Sequence, residues 1–174
     1  MNSKGITLVE LVMVLAVVGI LAALAVPVFR SLLQEQRHQV IVSELVAALK
    51  MARTEAVVRH TPMVVRASEK GWSWGWLVMS DMRGLYRGPG TILRKHELDG
   101  TIRIEGNHWV RKEVRFNTFG AVAGVSGAGN PGTFYVCDTN DKARARLVMS
   151  WVGRLRIDRS YVRNRDDLCR KTLK

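Results

Sequence analysis

Four arginines near the end of this 174-residue chain are spaced for chemistry. Arg144 and Arg146 lie in "ARARLVM"; Arg154 and Arg156 lie in "WVGRLRIDRS". A guanidinium keeps its charge at any physiological pH and forks bidentately onto an oxyanion. Residues i and i+2 on a strand share a face and sit about 6.6 Å apart, a scale similar to neighbouring phosphates on a nucleic-acid strand. If the two runs pair as a hairpin around Val152-Gly153, four guanidiniums line one ridge. Gly153 then permits the close turn between them. Lys142, Arg159, Arg163 and Arg165 extend the basic patch. From Cys137 to Lys174 there are 11 Lys and Arg against five Asp, a net of +6 within a chain total of +12. The competing interpretation is a solvated edge, because basic side chains on exposed strands also block edge-to-edge aggregation. Asp158, Asp166 and Asp167 are available as local partners. Charge of this size speaks of partners and not of fold. Nucleic acid, an anionic lipid surface and an acidic protein are all compatible with it.

No other constellation supports catalysis. His38, His60, His96 and His108 are scattered, with no H-E-x-x-H or comparable ligand spacing. "GVSGAG" fails the nucleophile-elbow pattern because Ala128 stands where its last glycine belongs. No phosphate-binding glycine loop follows a strand. Cys137 and Cys169 fit no zinc spacing. The chain is expected to be no enzyme and to hold neither metal nor cofactor.

Three regions must carry these residues. Leu11 to Val28 is an uncharged apolar run of 18 residues, about the minimum for a membrane-spanning helix. Glu10 stands at its front, and an ionisable residue in such a segment marks function by default. A secretory signal peptide is the bland interpretation, supported by Lys4 and by Ala23-Leu24-Ala25. From Arg30 the pattern turns amphipathic, with Ile41, Leu45, Ala48, Leu49, Ala52 and Ala56 on one helical face. Thr61-Pro62 ends the helix. Ile6 to Arg59 would form one helix about 80 Å long, with a possible bend at Pro27. After Pro62 the period falls to 2. Eight short runs, "MVVRA", "WSWGWLVMS", "TILRKHE", "TIRIE", "VRFN", "TFYVC", "RARLVMSW" and "RLRI", predict antiparallel strands. "RGPG" at 87–90 is a turn and "GVSGAGNPG" at 124–132 a flexible connection. Trp72, Trp74 and Trp76 alternate and so share one face, as core or as a base-stacking platform.

The stretch "KGITLVELVMVLAVVGILAALAVPVF" resembles the N-terminus of type IV pilins and type II secretion pseudopilins. Gly5 matches the residue before the cut and Ile6 the new N-terminus, although Phe or Met is commoner there. Glu10 matches the glutamate at the fifth mature position, and Pro27 a proline late in the helix. The resemblance implies cleavage after Gly5 and methylation of Ile6 by a prepilin peptidase. It also implies that Glu10 compensates the positive N-terminus of a neighbouring subunit. "Ala52-Arg53-Thr54-Glu55-Ala56" and "WGWLVMSD…G…ILR…VRFNTFG…GTFYVC" resemble the GspH/FimT branch, so the likeness covers nearly the whole chain.

The fold class expected is α+β: a long N-terminal helix packed against antiparallel sheets, transmembrane in its first half and amphipathic in its second. Residues 1–5 would be a leader, 6–30 the membrane part, 31–60 the amphipathic part, and 61–174 a β-rich domain. The chain would sit in the inner membrane with its domain in the periplasm, then join an extracellular pilus. Disulfides persist there, so Cys137 and Cys169 are expected to pair, with two free buried thiols as the alternative. "Gly153-Arg154-Leu155-Arg156" is similar to the GRxR string of FimT-type minor pilins linked to DNA uptake. That likeness implies sequence-independent DNA binding through the phosphate backbone. The rival is a structural minor pilin or pseudopilin that primes assembly and binds only other pilin subunits.

Overall fold

The computed structural model describes residues 8–81, 90–123, 132–138, 143–158 and Cys169. Helix α1 spans Leu8–Val58, and its helical backbone runs through Pro27. Its first part, Leu8–Val26, is long and apolar enough to cross a membrane, with a mean hydropathy of 2.8 and no buried side chains. By contact, residues 1–40 form one compact unit and residues 41–174 another. The helix stops where expected, and His60 follows it in the left-handed region at φ 49°.

Within the second unit the helix contributes Val42, Leu45, Ala48, Leu49, Ala52 and Ala56 to the core. These are the expected stripe, with Val42 added and Ile41 at its margin. Three of the six are alanines. A helix that buries alanine brings its backbone close to whatever packs on it. The other side of the core is two four-stranded antiparallel sheets. The first contains β1 (Met63–Ser68), β2 (Gly71–Ser80), β3 (Ile92–Glu97) and β5 (Glu113–Phe116), in the order β3-β2-β1-β5. The second contains β4 (Arg103–Gly106), β6 (Gly132–Cys137), β7 (Ala143–Met149) and β8 (Leu155–Asp158), in the order β4-β6-β7-β8. Every run of period 2 in the sequence is a strand. Ser73 stitches the sheets together: its Oγ accepts from the Ile104 amide at 2.9 Å.

The tryptophans correct one expectation. Trp72 and Trp76 are buried, but Trp74 is 42% exposed. Ala67 pairs with Trp76 while Ser68 pairs with Gly71, so residues 72–75 bulge from the β1 ladder. Gly75 makes the bulge possible. Its φ is +114°, and a Cβ there would lie 2.1 Å from the His96 carbonyl oxygen. Trp74 therefore leaves the face its spacing assigns it. Its ring packs over Gly100 and carries the Lys70 ammonium 4.8 Å from its centroid. Trp76 stacks on His96 at 4.5 Å, and the His96 Nε2 lies 2.8 Å from Glu44 on α1.

Candidate nucleic-acid interface

β7 and β8 form the expected hairpin. Arg146 pairs with Asp158, Val148 with Arg156, and Met149 with Leu155. Ala143, Ala145, Leu147 and Met149 point into the core, which turns Arg144, Arg146 and Arg156 outward on a common face. The apolar half of β7 fixes this register, because a slip of one residue would bury the arginines. The two strands meet in a tight turn. The Gly153 amide donates to the Ser150 carbonyl at 2.9 Å, and the Ser150 amide to the Arg154 carbonyl at 2.9 Å. The Ser150 hydroxyl accepts from the Arg154 amide at 3.1 Å.

Carboxylates divide the ridge. Arg144 donates twice to Oδ2 of buried Asp138, at 3.0 and 2.8 Å. That pair ties β7 to the end of β6. Arg146 is half-buried and faces Asp158 across the ladder. Arg156 reaches the same aspartate only at 3.4 Å and leaves 74% of its side chain exposed. Arg154 is exposed, and among the described residues its guanidinium has no ion pair. The outward charge concentrates at Arg154 and Arg156, where the hairpin turns. Lys142, Arg159, Arg163 and Arg165 lie outside the described residues, as do Gly5 and Ile6. Glu10 lies on the exposed first part of α1.

In the first sheet Arg94 is exposed on β3, and the other two arginines are held by carboxylates. Arg66 and Arg115 both hold Glu113, at 3.0 Å and 2.6 Å, and Arg115 also holds Asp81 at 2.9 Å. Burial pushes the Glu113 carboxyl up, but hydrogen bonds from Arg115 and Arg66 more than reverse this and leave it below the usual carboxylate range. On β4 the balance falls the other way. Burial raises Glu105 despite the nearby Arg103 and Arg111.

Sequence reasoning missed what holds the turn in place. Gly153 is buried, with φ +79°, and a Cβ on it would lie 2.5 Å from the Gly120 carbonyl oxygen. That same oxygen accepts from Nε of Arg53 on α1 at 3.0 Å. The turn at 117–121 is braced by Asn117, whose Oδ1 accepts from the Phe119 and Ala121 amides at 3.0 and 2.9 Å. The Val122 amide donates to the Trp151 carbonyl at 2.8 Å and joins the two turns. The string Ala52-Arg53-Thr54-Glu55-Ala56 thus has a local reason. Ala52 and Ala56 let the helix approach, Arg53 clamps the 117–121 turn, and Glu55 pairs with Arg59.

Cys137 and Cys169 are bridged, with Cα atoms 6.1 Å apart. The Cys169 carbonyl accepts from Arg103 at 2.9 Å. Together these tie Cys169 to β6 and β4. Among the described residues no cluster of His, Cys, Asp or Glu could hold a metal ion.

Residues 42–153 match the family model of the type II transport protein GspH, and residues 1–26 match the prokaryotic N-terminal methylation motif. A fimbrial protein of Pseudomonas aeruginosa is 40% identical over 103 residues, covering 58% of this chain. The chain spans 65% of that relative's length. Fimbrial protein Q of Moraxella bovis is 34% identical over 65 residues, covering 37% of this chain and 41% of that one. The crystal structure of the type IV minor pilin FimU of P. aeruginosa superposes with a TM-score of 0.57 at 25% identity, covering 72% of this chain and 90% of that one. The fold is that of a pilin, a family of structural, non-enzymatic proteins. The methylation motif and the apolar helix place the chain in the inner membrane before assembly and in a pilus thereafter. The chain belongs to the GspH family of type IV pilin-like proteins.

Proposed function

We propose that this chain is a minor type IV pilin of the FimT kind that binds extracellular DNA without sequence preference. A prepilin peptidase would cut after Gly5 and methylate Ile6, and Glu10 would meet the new N-terminus of a neighbouring pilin. Residues 1–5 would be the leader, 6–30 the membrane part, 31–60 the amphipathic helix, and 61–174 the displayed domain. The observation that carries the DNA reading is the turn at Gly153. It is fixed by the core on one side and presents Arg154, and Arg156 with its long contact to Asp158, on the other, while Arg66, Arg115 and Arg144 are closely held by carboxylates. The backbone that carries them is already held, so binding phosphate has to order only the two side chains. Lys142, Arg144, Arg146, Arg159, Arg163 and Arg165 would add attraction around that centre. Filament retraction would then carry bound DNA inward.

The test is a gel shift of the full chain in detergent with random duplex DNA over a series of salt concentrations. Each phosphate contact contributes about −0.9 to the log–log salt slope. The wild type should bind with such a slope, and Arg154→Gln/Arg156→Gln should flatten it by about 2 and weaken binding at low salt. A wild type that binds no DNA at low salt would leave the structural minor pilin, which primes assembly and meets only other pilins, as the better account.

A further inference from the structure

We propose that Phe119 and Trp151 form a stacking site for unpaired nucleobases, so that the chain grips single-stranded segments and frayed ends of DNA more tightly than closed duplex. This rests on the DNA reading above. Phe119 is 86% exposed and Trp151 is 61% exposed. Single exposed apolar residues are ordinary on protein surfaces. These two differ in how they are held. Phe119 projects from the turn braced by Asn117, and Trp151 from the turn closed by Ser150. The turns are joined through the Val122–Trp151 hydrogen bond and through Gly153 lying against the Gly120 carbonyl. Neither backbone can withdraw its ring without breaking that junction. Two aromatic side chains are therefore presented to solvent on adjoining supports, and Trp151 stands three residues before Arg154 and five before Arg156 in the hairpin.

The surrounding charge selects the occupant. Exposed aromatic rings on the same backbone junction as exposed Arg154 are complementary to a ligand that carries flat apolar faces along an anionic backbone. Single-stranded nucleic acid is such a ligand: bases stack on aromatic rings while phosphates follow basic side chains. Closed duplex hides its base faces and offers only phosphates. Two other tryptophans of the domain are exposed, and neither is joined to the hairpin turn: Trp109 meets the His108 ring edge-on at 5.2 Å. Trp74 is already covered by the Lys70 ammonium, and Glu69 and Glu97 line the groove beside it.

The test uses the full chain in detergent and two fluorescent probes of equal length. One is oligo-dT; the other is a duplex closed at both ends by hairpin loops joined through non-nucleotide linkers. Phe119→Ala and Trp151→Ala should each weaken binding to oligo-dT by about tenfold and leave the closed duplex unchanged. Trp151→Phe should retain most of the affinity. Arg154→Gln/Arg156→Gln should weaken both probes. Oligo-dT should also quench a tryptophan emission component that Trp151→Phe lacks. If the arginine pair matters for both probes and the aromatic variants for neither, the stacking site is overturned and the DNA reading stands. If the aromatic variants lose both probes equally, the rings serve general adhesion or packing and the proposal is again wrong. If the wild type binds neither probe, both readings fall, and an assembly defect of the aromatic variants in cells would mark the patch as a contact between subunits.

Discussion

Gly153 shows how one residue can join a motif to a fold. It stands in the string Gly-Arg-Leu-Arg, where the arginines draw the eye, yet it is the buried member. Its φ of +79° is the left-handed conformation that costs a non-glycine residue about 1–3 kcal/mol. A methyl group there would also collide with the Gly120 carbonyl oxygen, which is backbone and already bonded to Arg53. Gly153→Ala is expected to lower stability by at least that amount in urea melts and to move Arg154 away from the position the turn gives it. Binding to DNA should then fall although both arginines remain. Unchanged binding in a folded Gly153→Ala protein would show that the turn's position is immaterial. The two carboxylates are the other residue-scale lesson. Asp138 and Asp158 take up charge that the bare sequence credits to the ridge. Asp158 stands two residues from Arg156 on the same strand, whereas the meeting of Asp138 with Arg144 depends on how β7 folds back on β6, and no spacing in the sequence states it.

At the scale of elements, β2 separates what periodicity reveals from what it hides. Alternation puts three tryptophans on one face, and two obey. Trp76 is buried in the core, and truncating it to alanine should cost about 3–5 kcal/mol. Trp74 lies outside on the bulge, and the same change should cost under about 1 kcal/mol. Equal losses for the two variants in thermal or urea melts would refute that placement. The eight strands, the end of the helix and its apolar stripe were legible because each follows from a local pattern: a period of 2, a Thr-Pro break, a spacing of 3 and 4. The bulge was not, because it depends on Gly75 meeting the His96 carbonyl of β3. The clamp of Arg53 on the 117–121 turn was hidden for the same reason. Residues 53, 120 and 153 are far apart along the chain, and only the packed core brings them together. The arginines of the hairpin were legible as a pattern, and Asp158 as a local partner; Asp138, which holds Arg144, was not.

Across the whole molecule, the disulfide closes a loop of 32 residues that contains the hairpin and the basic C-terminal region. Chain-entropy arguments give such a bridge about 3–4 kcal/mol of stabilisation. Cys137→Ser/Cys169→Ser should lower stability by that order, and reduction of the wild type should do the same. A fall well below 1 kcal/mol in both would mean that the bridge does not constrain the unfolded chain. The junction at Gly153 has a consequence of a mechanical kind. If the chain holds DNA as proposed, a filament that pulls on the strand would put tension on Arg154. One peptide bond away, Gly153 bears on Gly120, and Gly120 is fastened to Arg53 on α1. The pull would then pass to Arg53 in the domain core through that short linkage, and the edge strand β8 would be spared the unzipping force that peels a ladder one hydrogen bond at a time.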